Sequence, residues 1–396
     1  MPQKWISGGP MRSRLGSYAT TSVAGEAVKA YIPVPLPPYP PVDLARLHGR
    51  IDRADRAVGR LDGLSSLVPD TNLLLYAYVR KEAVLSSQIE GTQSSLSELL
   101  LFENDAAPGV PVVDVEEVSN YVAAMQHGLR RLRKGFPLSL RLIREMHAIL
   151  LRGGRGSNKT PGEFRRSQNW IGGTRPGNAL FVPPPPNRLM ECLDPFEKFL
   201  HDDSESLPLL VRLGLIHVQF ETIHPFLDGN GRLGRLLITL LLCEKKALRE
   251  PLLYLSLFFK THREHYYDLL QRVRVEGAWE DWLAFFLEGI ESTAEEVCKA
   301  VRRSLSLFAA DRKKIGAIGR ASSSALRVQE YMQKRPIANI GAISKALKLS
   351  VPTVTSALQH LSKLGIAKEV TGGRRNRVFS YPKYLAMVAA GTEPIR

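Results

Sequence analysis

The stretch from His224 to Arg235, "HPFLDGNGRLGR", constrains the fold of this chain more than any other. It has three glycines within six residues, and a leucine-rich run from Leu236 to Cys243 follows at once. Glycines allow backbone conformations that other residues rarely adopt, and a continuous apolar run bounded by charges is typical of a buried element. The stretch therefore predicts a tight turn opening a buried helix, where backbone N–H groups can receive a phosphate.

The rest of the chain reads as mainly helical with one small hairpin. Apolar residues recur at steps of three and four, as on one helix face. "QNWIGGT" and "NALFV" flank the turn sequence "RPGN", which predicts a hairpin around Trp170–Val182. The proline-rich Tyr31–Leu44 must be extended. The predicted helical regions are Asp43–Phe102, Val115–Leu151, Leu189–His201, Pro208–Glu221, Leu233–Ala247, Leu252–Leu270 and Trp279–Leu307. Within the first, "SLSELLLFEN" begins with a serine cap, Ser95, and a downstream glutamate, Glu98.

Composition excludes several classes of protein. The chain has 396 residues and an apolar fraction of 44%, which argues against global disorder. No apolar run approaches the roughly 18 residues of a membrane span. The three cysteines fit neither a disulfide framework nor a zinc site. The N-terminus lacks an apolar signal core, so we expect a cytoplasmic protein without a membrane partner.

The positive charge is concentrated at the C-terminal end. The net charge is +15, and residues 311–396 hold sixteen Lys/Arg against four Asp/Glu, a local net charge of +12. A local excess of this size predicts a polyanion partner for that segment. A solvated basic surface is the alternative reading.

Several side chains between His224 and Arg235 suit phosphate chemistry. Asp228 supplies one hard oxygen for a Mg²⁺ ion shared with phosphates. Arg232 and Arg235 carry guanidinium groups that match phosphate oxygens. His224 is the side chain here that can take a proton near neutral pH. The alternative is a glycine-rich turn with arginines in surface salt bridges and a buried histidine.

This stretch resembles the Fic motif, His-x-Phe-x-Asp/Glu-Gly-Asn-Gly-Arg-x-x-Arg, at every specified position. "GEFRRSQNWIGG", "FVPPPP" and the region beyond the motif are similar to the family as well, so the resemblance covers roughly Ala30 to Ile290. It implies a helical Fic core with a small β-hairpin flap. It also implies transfer of AMP from ATP to a hydroxyl side chain of a target protein, because that is what most Fic proteins do.

The resemblance also implies a role for each position. His224 would deprotonate the attacking Ser, Thr or Tyr hydroxyl, and Asp228 would hold Mg²⁺. Tyr267, or its neighbour Tyr266, would lie near the adenosine. Phe226 would anchor the loop by packing. The residues implied to bind ATP through the turn and the helix start are Gly229, Asn230, Gly231, Arg232, Leu233, Gly234 and Arg235. The flap, which would align a target segment by strand addition, would comprise Trp170, Ile171, Gly172, Phe181 and Val182.

A second motif, "SSQIEG", resembles the inhibitory motif of the family through Ser86, Glu90 and Gly91. Ser86 and Glu90 are four residues apart and share one helical face. The resemblance implies that the Glu90 carboxylate faces Arg235, occupies the γ-phosphate position and leaves bound ATP misaligned. The alternative is a solvated surface pair.

The C-terminal segment predicts a winged helix-turn-helix. "NIGAISKALKLSVPTVTSALQHLSKLG" reads as helix, turn and helix, with Asn339 and Ser350 as N-caps and Gly365 as a stop. A basic hairpin follows, and a basic linker near Arg312–Arg320 precedes the unit. Protein contacts or dimerisation are the alternative to DNA binding. The candidate DNA contacts are Thr353, Thr355, Ser356, Gln359, Arg374, Arg375 and Arg377.

These observations predict four segments. Residues 1–30 form a flexible N-terminus, 31–112 a helical region with the inhibitory helix, 113–310 the Fic core and 311–390 the winged helix. The predicted function is an autoinhibited protein adenylyltransferase. The alternatives are a DNA-binding regulator that uses its Fic core as a nucleotide sensor, and a hydrolase that removes AMP. The sequence does not name the target protein, and a homodimer is one of the oligomeric states it leaves open.

Overall fold

The computed structural model describes residues 13–23, 25–67, 72–104, 112–153, 156–202, 207–371 and 377–394. This part of the chain is mainly helical, with two small antiparallel sheets. The strands are β1 Ser17–Val23, β2 Glu26–Ile32, β3 Ile337–Asn339, β4 Lys368–Glu369 and β5 Val378–Ser380. The helices are α1 Leu44–Leu67, α2 Asn72–Ile89, α3 Leu96–Phe102, α4 Val112–Arg133, α5 Leu140–Leu150, α6 Leu189–His201, α7 Leu209–Ile223, α8 Asn230–Glu244, α9 Ser256–Thr261, α10 Arg263–Glu276, α11 Trp279–Gly316, α12 Ser322–Lys334, α13 Ile340–Leu347, α14 Val351–Lys363 and α15 Pro382–Ala389.

The chain divides into two compact units that are discontinuous in sequence. The first comprises Met1–Asp52, Phe164–Asn230 and Glu264–Leu287. The second comprises Arg53–Glu163, Gly231–Arg263 and Glu288–Arg396. The four-segment division stays a prediction. Within the described residues, no helix is long and apolar enough to cross a membrane.

The core of the first unit is built around α7, which is buried along almost its whole length. His217 of α7 lies 2.9 Å from the Tyr266 hydroxyl and stacks on the ring of Trp282. The Trp282 indole donates to the carbonyl of Gly214, 2.9 Å away. A Cβ at Gly214 would lie 2.6 Å from the Leu283 side chain, so close packing requires glycine there. This rigid helix sets the position of the loop that follows it.

Strands β1 and β2, within residues 17–32, form a β-hairpin, although the sequence predicted a flexible segment through about residue 30. β1 and β2 pair antiparallel from Ser17↔Ile32 to Val23↔Glu26. Val28 and Ala30 pack against Val182, and the Tyr31 N–H donates to the Val182 carbonyl at 2.9 Å. The prediction was wrong because the small residues of this segment obscure the alternation of apolar and polar side chains that is typical of a strand. The buried side chains of the hairpin lie on β2.

The second unit is built on α2, which packs against α4 and α9. α4 and α5 also pack closely, since a Cβ at Gly128 would lie 2.6 Å from the Met146 sulfur. The predicted caps are present: Ser95 and Glu98 form a reciprocal capping box at the start of α3. Asn339 and Ser350 cap α13 and α14.

The predicted basic linker is largely helical. α11 continues to Gly316, beyond the predicted end at Leu307. Asp311 is 1% exposed and accepts a hydrogen bond from the Tyr381 hydroxyl at 2.8 Å. Ile315 is fully buried, and the Phe308 ring contacts Tyr384. The helix continues because these residues extend its buried stripe through the basic stretch.

After α12, the C-terminal elements form a three-stranded sheet in the order β3-β5-β4 with α13 and α14. Lys348, in left-handed conformation with φ +51°, joins the two helices. Gly365, at φ +67°, ends α14 as predicted. β3 completes the sheet and was not predicted from the sequence. Arg374 and Arg375 lie outside the described residues.

Candidate functional site

The first half of the motif, His224–Asn230, follows α7 directly in the first unit. His224 is the C-cap of α7, with left-handed φ of +50° and ψ of +61°. Its N–H donates to the Phe220 carbonyl at 2.9 Å. A left-handed non-glycine residue costs about 1–2 kcal/mol, so other contacts must hold it in place.

Arg165 supplies those contacts. Its side chain is 2% exposed, its Nε donates to the His224 carbonyl at 2.9 Å, and its backbone N–H donates to Pro225 at 3.0 Å. Asn169 adds a hydrogen bond to the Phe226 carbonyl at 2.9 Å. Both residues lie in "GEFRRSQNWIGG", which resembles the family pattern, but the sequence alone predicts no role for either. Both position the backbone beside the candidate base.

Phe226 and Asn230 close the turn from within. Phe226 is fully buried against the ring of Phe164, as predicted. The Asn230 side chain accepts from the Phe226 N–H at 2.9 Å and donates to the Phe226 carbonyl at 2.8 Å. The family resemblance implies that Asn230 lies at the phosphates. In the structure its side-chain amide bonds both the N–H and the carbonyl of Phe226, and these two hydrogen bonds close the loop.

The second half of the motif, Gly231–Arg235, lies on α8 in the second unit. Arg235 is 3% exposed and hydrogen-bonded to the last turn of α2. Its Nε donates to the Ser86 hydroxyl and its Nη2 to the Ser86 carbonyl, both at 2.9 Å. Nη2 also lies 2.7 Å from Glu90 Oε1. The three predicted partners, Ser86, Glu90 and Arg235, are therefore brought together.

Glu90 also lies at the start of α8. A Cβ built at Gly231 would lie 2.3 Å from Glu90 Oε1, so the carboxylate occupies the space that a side chain would fill. Anions are stabilised at helix N-termini, where N–H groups and the helix dipole meet. Gly91 ends α2 with φ of +101°, which turns the chain away after Glu90.

Arg232 has a different environment. Its side chain is 1% exposed, and its Nη1 lies 2.7 Å from Oε1 of Glu117 on α4. Glu117 also accepts from the Thr92 hydroxyl at 3.2 Å. Sequence reasoning did not identify Glu117, which has no motif around it. The buried pair fastens α8 to α4.

A third carboxylate lies one turn before Ser86. Glu82 is 1% exposed and accepts from the Ser256 hydroxyl at 2.5 Å and from the Tyr121 hydroxyl at 3.1 Å. Burial raises the pKa of Glu82 to about 7, although the Ser256 hydrogen bond and the Arg235 charge oppose this. Glu82, Ser86 and Glu90 are spaced at four residues along α2.

Two parts of the chain match known family profiles. Residues 48–130 match the profile described as "Fic/DOC family N-terminal", and residues 137–242 match "Fic/DOC family". Residues 48–130 and 137–242 of the chain are therefore its two Fic/DOC regions. Its Fic profile covers both motif halves, and its N-terminal profile covers the segment with Ser86 and Glu90.

Curated relatives of this Fic chain carry the name "Protein adenylyltransferase Fic". One from Aedes aegypti is 33% identical over 62% of this chain and 47% of its own length. Another, from Culex quinquefasciatus, is 31% identical with the same coverage. The chain thus spans about half the length of the curated relatives it matches.

Two solved structures share the Fic fold. A Fic family protein from Desulfovibrio desulfuricans G20 aligns with a TM-score of 0.53 at 21% identity, over 84% of this chain and 95% of that one. A Fic domain containing signaling protein from Bacteroides thetaiotaomicron aligns with a TM-score of 0.52 at 19% identity, over 63% and 97%. These identities support the fold alone.

The flap segment of this Fic chain is narrower than the predicted hairpin. Ile171 and Phe181 form a single antiparallel bridge with N–H···O distances of 2.8 and 3.1 Å. Gly172 has a φ of +68° and opens the turn. Phe181 and Val182 are buried, whereas Trp170 is 37% exposed. The pairing between the two predicted strands is shorter than expected because Pro176–Asn178, which lies between them, forms a 3₁₀ turn.

The remaining predicted residues differ in exposure. Leu233 is fully buried and Gly234 lies in the same buried turn of α8. Tyr267 is 38% exposed and contacts the Tyr266 ring. Asp228 is half-buried, and one of its oxygens accepts from the Gly229 N–H at 2.6 Å.

Mg²⁺ fits the single carboxylate of Asp228. The described part of the chain has no cluster of three or more His, Cys, Asp or Glu side chains suited to a metal. Mg²⁺ in phosphoryl-transfer sites is typically held by one or two carboxylates plus substrate phosphates, so it does not need such a cluster. Asp228, half-buried on the turn before α8, supplies one such carboxylate.

Proposed function

We propose that this chain transfers AMP from ATP to Ser, Thr or Tyr hydroxyls of a target protein, itself included, and that Glu90 inhibits the transfer. The contact that carries the proposal is the 2.7 Å pair between Glu90 and Arg235 at the start of α8. The names of the curated relatives support the reaction type.

Each motif residue has a part in the proposed reaction. His224 takes the proton from the attacking hydroxyl, and Arg165 and the α7 cap hold its backbone for this step. The backbone N–H groups of Asn230 and Gly231 donate to phosphate oxygens, because that of Gly229 is bonded to Asp228. Asp228 would hold Mg²⁺, which neutralises phosphate charge when bound. Positioning and charge neutralisation supply most of the rate in such transfers.

Inhibition follows because the Glu90 carboxylate and the γ-phosphate of ATP compete for the guanidinium of Arg235. Arg235 donates to Ser86 and Glu90 through Nε and Nη2, so this edge of the guanidinium is not open to the γ-phosphate. The Glu90 carboxylate lies beside Gly231, where a phosphate would approach the helix start. ATP would then bind with its α-phosphate out of line for attack. Release of Glu90 would free the guanidinium and the helix start together.

Self-labelling with ATP that carries ³²P at the α-phosphate tests this proposal. We expect Glu90→Gly to label about 5- to 150-fold faster than the unmodified protein, the range of typical coupling energies. Glu90→Gly combined with His224→Ala should not label. Gln93→Gly is the matched control, because it adds the same backbone freedom three residues on without touching Arg235. Equal labelling by the unmodified protein and Glu90→Gly would contradict the inhibitory role.

We also propose that α12 to β5 form a winged helix that binds DNA through α14. Ser356 and Gln359 are exposed on α14 and free of its apolar face. Thr355 donates to the Val351 carbonyl, and the Thr353 hydroxyl lies 2.8 Å from that of Ser350, so both are held within the helix. Ser356 and Gln359 are therefore the stronger base-reading candidates.

Fluorescence anisotropy with a labelled duplex and the full chain tests DNA binding. Affinity should fall steeply with salt, because Lys and Arg contacts release counterions. Gln359→Ala should weaken binding to a preferred sequence while leaving nonspecific binding unchanged. Absence of binding at low salt would favour a protein-contact role for this segment.

A further inference from the structure

A cavity of about 370 Å³ lies beside α2 in the second unit. Its walls come from α2, α9, α11, α15 and the segment that follows α15. The apolar part of the wall includes Leu85, Leu257, Val297 and Met387. No residue of the 224–235 motif lines it. Its volume lies in the range of cavities that hold small molecules.

Tyr78 gives this cavity an unsatisfied polar group. The side chain is 4% exposed and lines the cavity. Its hydroxyl has no hydrogen-bond partner among the residues that the structure describes. Leaving a buried hydroxyl unpaired costs about 1–3 kcal/mol. A molecule in the cavity that offers a polar atom would remove that cost.

The charged groups on the wall are mostly cationic. The lining contains the cations Lys81, Lys299 and Arg303 and one carboxylate, Glu296, and a second carboxylate, Glu393, acts on Lys81. Lys81 is half-buried, and burial lowers its pKa, so a neighbouring anion would stabilise its charged form. Lys299 and Arg303 are exposed on α11, one turn apart. An apolar wall with a net positive rim matches an amphipathic anion better than a neutral or cationic molecule.

We propose that this cavity binds a small amphipathic carboxylate, with its acid group on Lys299 and Arg303 and accepting from the Tyr78 hydroxyl, and with its chain along the apolar wall. Binding of this ligand stabilises the docked position of α2 and so strengthens inhibition. This second part rests on the proposed function. The binding part does not.

The structure offers a direct connection between the cavity and Glu90. Gln88, two residues before Glu90, donates from Nε2 to the carbonyls of Ser94 and Thr392, both at 2.8 Å. Thr392 follows Gly391, which lines the cavity. Lys260 also donates to the Gly391 carbonyl at 3.1 Å. A ligand that contacts the segment at 390–391 therefore steadies the partner of the helix end that carries Glu90.

Calorimetric titration of the full chain with octanoate tests the binding part, with 1-octanol as the neutral probe of equal length. Octanoate should bind and octanol should bind at least tenfold more weakly. Lys299→Gln with Arg303→Gln should weaken octanoate binding about ten- to a hundredfold, as expected for lost charge-assisted hydrogen bonds. Arg302→Gln, an exposed arginine on the same helix that does not line the cavity, should leave it unchanged.

Equal binding of octanol and octanoate, no octanoate binding, or the same loss in Arg302→Gln would each overturn the site. Circular dichroism checks that the exposed substitutions leave the fold intact. Tyr78→Phe provides an independent measurement. It should weaken octanoate binding about two- to twelvefold and raise the melting temperature of the free protein, because it removes an unpaired buried hydroxyl. A lower melting temperature with unchanged affinity would contradict the role of Tyr78.

The regulatory part is tested by self-labelling with α-³²P ATP. Octanoate should slow labelling by the unmodified protein but not by Glu90→Gly or by the Lys299→Gln, Arg303→Gln variant. Unchanged labelling in the presence of bound octanoate would contradict this part alone. If no variant labels, the proposed function fails, while the calorimetry still decides whether the cavity is a binding site.

Discussion

Arg232 and Arg235 lie three residues apart on α8, and each pairs with a glutamate at 2.7 Å. The partner of Arg232 is Glu117, whose side chain is 2% exposed in the second turn of α4. The partner of Arg235 is Glu90, whose side chain is 33% exposed just past the end of α2. The distances are the same and both guanidinium groups are buried, but only Glu90 is exposed enough to regain water when it leaves, and Arg235 then keeps two hydrogen bonds to Ser86.

Burial of the carboxylate therefore separates a supporting pair from a releasable one. A buried charge left without its partner costs several kcal/mol, so the Arg232 pair must stay closed in any folded state. A partly exposed carboxylate regains hydration when it leaves. The arginine motif alone does not distinguish these two cases.

The largest expected effect concerns the buried pair. Glu117→Ala should lower the free energy of unfolding by about 3–5 kcal/mol, because it leaves the Arg232 guanidinium buried and unpaired. Urea denaturation measures this, with the exposed neighbour Glu116→Ala as the control. A loss below about 1 kcal/mol would mean that the two pairs of α8 are equivalent, and the comparison would fail.

The second prediction concerns Glu82, which lies on α2 one turn before Ser86, the residue that accepts from Arg235. Its folded pKa of about 7 lies above its ordinary 4.5, so the folded state retains this proton longer than the unfolded state. Stability from this group is present below pH 4.5 and is lost as pH rises through about 7, by about 3 kcal/mol in total. Thermal melting of the unmodified protein and of Glu82→Gln across this range should show a difference that grows with pH. Parallel curves would remove Glu82 from the account.

The third prediction compares activity with stability. Glu90→Gly should raise self-labelling by about 1–3 kcal/mol of transition-state free energy. Its free energy of unfolding should fall by less than that of Glu117→Ala, because Glu90 is partly exposed and the buried Arg235 keeps both of its hydrogen bonds to Ser86. Labelling rates and urea denaturation on the same preparation check both. Glu117→Gln should show the opposite pattern, with lost stability and no gain in labelling.

The smallest effect belongs to Ser86. Ser86→Ala removes the hydroxyl that accepts from Arg235 Nε but keeps the carbonyl that accepts from Nη2. Release of inhibition should be partial, about two- to twelvefold in labelling rate, as expected for one hydrogen bond. A gain as large as that of Glu90→Gly would assign the holding of Arg235 to the serine instead.

The sequence predicted the parts of this molecule that carry local signals. The helices follow apolar spacing, and the caps at Ser95, Asn339 and Ser350 follow from side chains that bond their own backbone. The contact of Ser86 and Glu90 with Arg235 is predicted only by the resemblance to the inhibitory motif. Spacing within one helix does not show what the helix faces.

The unpredicted parts depend on contacts between distant segments. Glu117 and Arg165 acquire their partners only through the fold, since each is an ordinary charged residue in its own segment. The β1–β2 hairpin is stabilised by Val182, which lies more than a hundred residues later. α11 passes through a basic stretch because Tyr381 and Tyr384 meet Asp311 and Phe308.

The missing side chain at Gly231 links two properties of this chain. A single methyl group there would lie 2.3 Å from Glu90 Oε1, in the first turn of α8. Gly231→Ala would therefore displace the glutamate and also place a side chain where the proposed function puts the phosphates. In the proposed function, a substitution at this position would remove the inhibiting carboxylate only by obstructing the nucleotide as well.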